Sequence, residues 1–142
     1  MTKLVFDESC IFCRILRKQT KASIVYEDET VMVFLDIQPL NIGHSLVIPK
    51  AHYVDIFDIP KDLLSQVHRT AKQVSFAVKK ATSADGISVI QQNGKAAGQE
   101  IFHLHVHVVP WFEGQKLPSF SDHKEVERVK LYGIAKKIKQ YL

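Results

Sequence analysis

At 142 residues the chain can bury about two-thirds of its unfolded surface, which suits one domain rather than several. An ordinary globular composition, a net charge of +4 and the lack of a membrane-length apolar run exclude a disordered or membrane-spanning chain. The basic excess gathers near Lys136, Lys137 and Lys139 without interleaved aromatics, so the expectation is small anions such as phosphates and no nucleic acid or membrane partner.

The start of the chain, Met1 to Glu8, lacks the long apolar segment of a signal peptide, and a cytoplasmic protein is expected. The only 2 cysteines follow, as Cys10-Ile11-Phe12-Cys13. In a reducing compartment this spacing suits half a zinc site or a redox pair. Two thiolates do not close a zinc site, so two further ligands, histidines by preference, would have to come from elsewhere. Arg14 to Lys18 reads as a short helix carrying the cysteines at its start.

Ile24 to Glu27 and Val31 to Asp36 read as strands joined by a turn at Asp28-Glu29-Thr30. Ile37 to Gly43 is a connection broken by Pro39 and Gly43. Ser45 to Ile48 is a third strand, ended by Pro49-Lys50. Pro60 then opens the best-marked helix, running to about Ala81. Leu63, Leu64, Val67, Ala71, Val74, Val78 and Ala81 form its apolar stripe. Asp85-Gly86 turns the chain into a fourth strand, Ile87 to Gln92. The loop Asn93 to Glu100 is rich in Gly and Ala, which suits either a backbone cradle for phosphate or a plain hairpin loop. It lacks the order of a Walker loop.

Ile101 to Pro110 carries His103, His105 and His107 at every second position, with Leu104, Val106 and Val108 between them. Alternation of this kind predicts a strand with three imidazoles on one face and the aliphatics in a core, Pro110 acting as the stop. Such a row fits a metal site or nucleophilic catalysis by a middle imidazole whose neighbours orient it. Beyond Gly114 and Pro118 a last amphipathic helix is expected over about 122–141. Val126, Val129, Ile134, Ile138 and Tyr141 are its apolar positions, with Gly133 interrupting. The order of elements predicts an α+β domain with an antiparallel sheet.

These motifs resemble the histidine triad family of nucleotide hydrolases and transferases. The resemblance rests on His103-Leu104-His105-Val106-His107-Val108-Val109, Gly43-His44-Ser45-Leu46-Val47-Ile48-Pro49-Lys50, Ala97-Gly98-Gln99, Phe34-Leu35-Asp36-Ile37 and the cysteine pair. It spans about residues 10–112, with 113–142 as a helical extension of the same domain. It implies the family's fold, an antiparallel sheet of about five strands with one long helix and a C-terminal helix, paired as a homodimer.

The resemblance further implies a purine nucleotide substrate, adenylates foremost, attacked at the α-phosphate. His105 would be the nucleophile, forming a covalent nucleotidyl-histidine that water resolves to a nucleoside monophosphate such as AMP. His107 and Gln99 would bind phosphate oxygens, with His44 and Asn93 as supporting polar groups. Asp36 would accept from the ribose hydroxyls, although a strand-end Asp that starts a turn looks the same in sequence. Ile11, Phe12 and Phe34 would line the base pocket. Some members bind zinc through two cysteines and two histidines, here Cys10, Cys13, His52 and His103. That closed set implies one structural zinc per chain.

Glu100 and Trp111 depart from the family's common Ser and Arg at those positions, on the side where the leaving group is expected. Trp111 could stack on a second base or pack at a dimer contact. His68 and His123 receive no role. Nucleoside phosphoramidates and dinucleoside polyphosphates compete as substrates. A zinc-dependent hydrolase and a nucleotide-binding module with negligible turnover are the rival readings.

Overall fold

The structure, a computed structural model, describes residues 6–116 and 125–142. Helix α1 (Ile11–Leu16) precedes strands β1 (Ile24–Glu27), β2 (Val31–Leu35) and β3 (Ser45–Pro49). The long helix α2 (Lys61–Thr82), β4 (Gly86–Gln91), β5 (Val106–Trp111) and α3 (Arg128–Lys139) complete the order. The strands form one five-stranded sheet in the order β1-β2-β3-β5-β4, antiparallel at every pairing. This is the α+β architecture expected, with the family's five-stranded sheet.

Every residue of β2 and β3 is buried, because both faces of the sheet centre are covered. Val31, Val33, Leu35, Val47, Val106 and Val108 point to one side and pack on the apolar stripe of α2 and on Leu131, Ala135 and Ile138 of α3. Met32, Phe34, Leu46 and Ile48 point to the other and meet Cys10, Phe12, Cys13 and Ile15 of the α1 segment. Directly opposed residues in an antiparallel pair share a face, and Leu46 lies opposite His107. The alternation that sends Val106 and Val108 into the larger core therefore delivers His107 to the side of α1.

Three boundaries differ from the sequence reading. The histidine strand joins the ladder only at Val106, not at Ile101. The stretch before it pairs elsewhere, the Leu104 N–H donating to Tyr53 O at 2.7 Å and the His103 ring bonding Pro49 O at 2.8 Å. Pro110 does not stop β5, which runs to Trp111. β3 pairs with β5 only as far as Val108, so the edge facing Pro110 needs no N–H from it, while Ile87 pairs on the other edge. The last helix begins at Arg128 rather than near 122, and 122–124 and His123 lie outside the described residues. Its buried face is Leu131, Ala135 and Ile138, whereas Val129 is 81% exposed. The Val126 N–H bonds Ile37 O at 2.8 Å, which brings the start of α3 to the end of β2. Among the described residues no helix is long and apolar enough to cross a membrane.

Candidate active site and metal centre

Cys10 caps α1: its sulfur accepts from the Cys13 N–H at 3.4 Å, so both thiols face one point at the helix start. His52 and His103 approach from the other side. Cys13 Sγ lies 3.3 Å from His52 Nδ1 and 3.5 Å from His103 Nδ1, and Cys10 Sγ lies 3.5 Å from His103 Nδ1. The four ligand atoms lie within 4.8 Å of one another. A tetrahedral zinc with about 2.3 Å to sulfur and 2.0 Å to nitrogen would set sulfur–nitrogen edges of about 3.5 Å. The donor set fits, and Cys10, Cys13, His52 and His103 could hold a metal ion. The His103 Nε2–H donates to Pro49 O, which leaves the Nδ1 lone pair aimed at the sulfurs. Burial pushes His103 down to about 4, keeping it neutral, and pushes the Cys13 thiol up to about 11. A cation arriving there would displace the thiol protons.

Tautomers of the other two triad histidines follow from their partners. His105 Nδ1 sits 2.8 Å from His103 O, and a carbonyl only accepts, so Nδ1 carries the proton and Nε2 keeps its lone pair. For His107 the chain of bonds is longer. The Leu40 N–H donates to His44 Nδ1 at 3.1 Å, so His44 holds its proton on Nε2. That proton is donated to His107 Nδ1 at 2.9 Å, which leaves His107 with an Nε2–H. One imidazole thus offers a lone pair beside another that offers a proton, their ring centroids 4.9 Å apart. Burial lowers both, His107 to about 3, so both are neutral at pH 7.

Both rings line a cleft of about 500 Å³. Its apolar lining comes from Ile11, Phe12 and Ile15 of α1 with Phe34 and Ile37, and the segment after β4 adds Gln92, Gly98, Glu100 and Ile101. Phe12 stands edge-on between Phe34 and His105, with centroids at 5.3 and 5.2 Å. Asp36 lies at the same mouth, one oxygen accepting from the Gln38 N–H at 2.9 Å and the other 3.6 Å from His44 Nε2.

The structure therefore brings His105, His107, Asp36, Ile11, Phe12 and Phe34 to one cleft, with His44 behind His107. It does not bring Gln99 or Asn93 there. Gln99 is 2% exposed; it accepts from the Gly94 N–H at 2.7 Å and donates to Val54 O and Ile101 O at 2.7 and 3.0 Å. Asn93 Oδ1 accepts from the Ile56 N–H and from Gln91 Nε2. Both side chains brace the 93–101 loop against the segment after His52. The amide that does reach the cleft is Gln92, which the sequence reading missed. A Cβ on Gly98 would come within 2.6 Å of Gln92 Nε2, and Gly98 has φ +95°, so this close approach requires glycine. The signal was the Gln at a strand end beside a Gly-rich loop. Trp111 bonds Ser88 Oγ on β4 at 2.7 Å and lies outside the cleft lining; His68 bonds Gln91 at 2.7 Å.

A family profile described as HIT domain matches residues 17–114. The chain belongs to the histidine triad (HIT) family. Over 131 residues it is 41% identical to an uncharacterized HIT-like protein of Methanocaldococcus jannaschii, covering 92% of this chain and 98% of that one. An adenylylsulfatase of Arabidopsis thaliana is 40% identical over 73% of this chain and 53% of its own. An adenosine 5′-monophosphoramidase of Saccharomyces cerevisiae is 39% identical over 73% of this chain and 63% of its own. Among solved structures, a HIT-like protein from Bartonella henselae superposes with a TM-score of 0.90 at 37% identity, covering 97% of this chain and 99% of that one. A zinc-bound histidine triad protein from Mycobacterium smegmatis gives 0.84 at 36% identity, covering 94% and 92%. The HIT family thus includes an adenylylsulfatase and an adenosine 5′-monophosphoramidase, and a zinc-bound member shares this fold.

Proposed function

We propose that this HIT protein is a nucleotide hydrolase or transferase in which His105 attacks the α-phosphorus of a nucleoside phosphoramidate or dinucleoside polyphosphate. The observation that carries the reading is the bond from His105 Nδ1 to His103 O, which holds the Nε2 lone pair as the nucleophile. An N–P bond forms as the bond to the leaving group breaks, its electron pair departing with that group. Water then attacks phosphorus, the pair of the P–N bond returns to Nε2, and a nucleoside monophosphate such as AMP leaves. The His107 Nε2–H and the Gln92 amide donate to the non-bridging oxygens, where negative charge grows. Asp36 receives the ribose diol, and Ile11, Phe12 and Phe34 flank a purine base. Adenine is favoured because both named enzymes among the relatives act on adenosine derivatives.

Zinc is the metal we assign to Cys10, Cys13, His52 and His103. Four protein ligands leave no open position, so the ion's contribution is structural: it ties α1, and with it Phe12, to the segment that carries His105. A catalytic metal on Asp36, His44 and His107 is disfavoured, because His44 Nε2 carries the proton that its bond from Leu40 dictates. A homodimer is supported by the edge position of β4, unpaired on its outer side among the described residues, and by the apolar strip beside it, where Phe76 is 62% and Val89 49% exposed.

The test is AMP release by wild type and by His105→Ala from an adenosine phosphoramidate and from a diadenosine polyphosphate in parallel. Turnover of either substrate, lost in the variant, is expected. Equal rates in both proteins would overturn the mechanism, and binding without turnover by either would favour a nucleotide-binding module.

A further inference from the structure

The charges lining the cleft are unevenly placed. Among the described residues they are Lys21, Asp36, Glu100 and Arg128. Both cations belong to the nucleoside end. The bond from the Leu35 N–H to Ser23 O sets the segment of Lys21 against the end of β2, and that from Val126 to Ile37 O brings in the start of α3. The segment from Gln92 to Ile101 gives the lining a single charge, the exposed carboxylate of Glu100; the exposed Lys95 of the same loop lies outside the lining. The main chain beside Glu100 is fixed by its neighbour, since the Gln99 side chain is pinned by three hydrogen bonds to main chain of three separate residues.

A nucleophile enters opposite the group it expels. With the base on α1 and the ribose at Asp36, the part of the lining left for the expelled group is the segment that carries Gln92, Gly98 and Glu100. The lining cations, Lys21 and Arg128, lie at the nucleoside end, so among the described residues no lining cation faces a leaving group there. A polyphosphate or a sulfate in that place would bring its negative charge up to a carboxylate. An amine would not: the P–N bond breaks with its electron pair on nitrogen, which collects protons from solvent and departs as an ammonium.

We infer that Glu100 sets the charge of the leaving group, selecting substrates whose departing group is cationic and rejecting anionic ones. The inference rests on the nucleotidyl-transfer reading above and narrows its substrate class. A unit charge within several ångströms of the departing group, in a partly solvated cleft, is worth roughly tenfold in relative rate.

The experiment compares kcat/KM for AMP release by wild type, Glu100→Gln and Glu100→Lys. The substrates are an adenosine phosphoramidate of an aliphatic diamine, adenylyl sulfate and diadenosine triphosphate. The preference for the diamine adduct over the two anionic substrates should fall about tenfold in Glu100→Gln and further in Glu100→Lys. The same preference in wild type should shrink as salt is raised. Preferences that stay within about twofold across the three proteins while turnover persists would overturn the role of Glu100 alone. Absence of turnover on every substrate by wild type would instead remove the nucleotidyl-transfer reading, and this inference with it.

Discussion

Gln99 separates two accounts of the loop beside the histidines. The family resemblance makes it a phosphate ligand; the structure makes it a brace. Replacing Gln99 by Ala removes one acceptor and two donors from a side chain that is 2% exposed, leaving Gly94 N–H, Val54 O and Ile101 O without their partner. At about 1 kcal/mol of net stabilisation for each bond, the loss is about 3 kcal/mol. An unfolding entropy of about 2.1 cal/mol/K per residue gives the 142-residue chain about 300 cal/mol/K, so Tm should drop by about 10 °C. Gln99→Glu should be no better than Ala, because a carboxylate cannot donate to two carbonyls. The assay is thermal and urea unfolding of both variants beside wild type, with kcat/KM measured well below the variants' Tm. A Gln99→Ala protein with unchanged Tm and abolished turnover would refute the bracing argument and return Gln99 to the phosphate.

Replacing Cys13 by Ser, or removing metal with a chelator, should lower Tm and loosen α1, and metal analysis should find about one zinc per wild-type chain and much less in the variant. A wild-type protein purified without zinc and indifferent to chelator would contradict the metal centre. His107 has a folded pKa of about 3 against an ordinary 6.5, because burial penalises its charged form. Below pH 6.5 the unfolded chain binds a proton that the folded one refuses, so this contribution to stability is complete above 6.5 and declines as pH falls towards 3. Urea midpoints between pH 7.5 and 4.5 should therefore fall less steeply for His107→Asn than for wild type; equal slopes would contradict it. Gly43 has φ +104°, and a Cβ there would meet Thr82 Cγ2 at 2.8 Å. Gly43→Ala should cost about 2 kcal/mol in urea unfolding, and Thr82→Ser in the same chain should recover only the contact's share, the backbone strain remaining.

What could be read from the sequence follows from how local its causes are. The apolar stripe of α2 and the alternation of Val106 and Val108 with the histidines depend on period alone; α2 forms where the periodicity points, and β5 does so from Val106 onward. The cysteine pair asked for two histidines from elsewhere and the family resemblance named His52 and His103, the latter 93 residues from Cys10; thiols and imidazoles are a narrow chemical class. Amides are not. Asn93 and Gln99 look like ligands in a Gly-rich loop, yet whether an amide meets a substrate or a backbone carbonyl depends on where the segment after His52 returns. Gln92 was passed over for the converse reason: at the end of a strand it reads as ordinary edge. The late start of β5 was equally hidden, since it depends on Tyr53 and Pro49 taking the hydrogen bonds of Leu104 and His103. The family resemblance named His105; its bond to His103 O supplies a physical reason why that ring, rather than His107, keeps a lone pair at Nε2.

The most direct measurement is the covalent species itself. Wild type mixed with an adenosine phosphoramidate and quenched in alkali, where a phosphohistidine-type bond survives, should show by mass spectrometry one adenylyl group on His105. His105→Ala should show none and release no AMP. Rapid AMP release with no adduct, or an adduct on any other residue, would contradict the account.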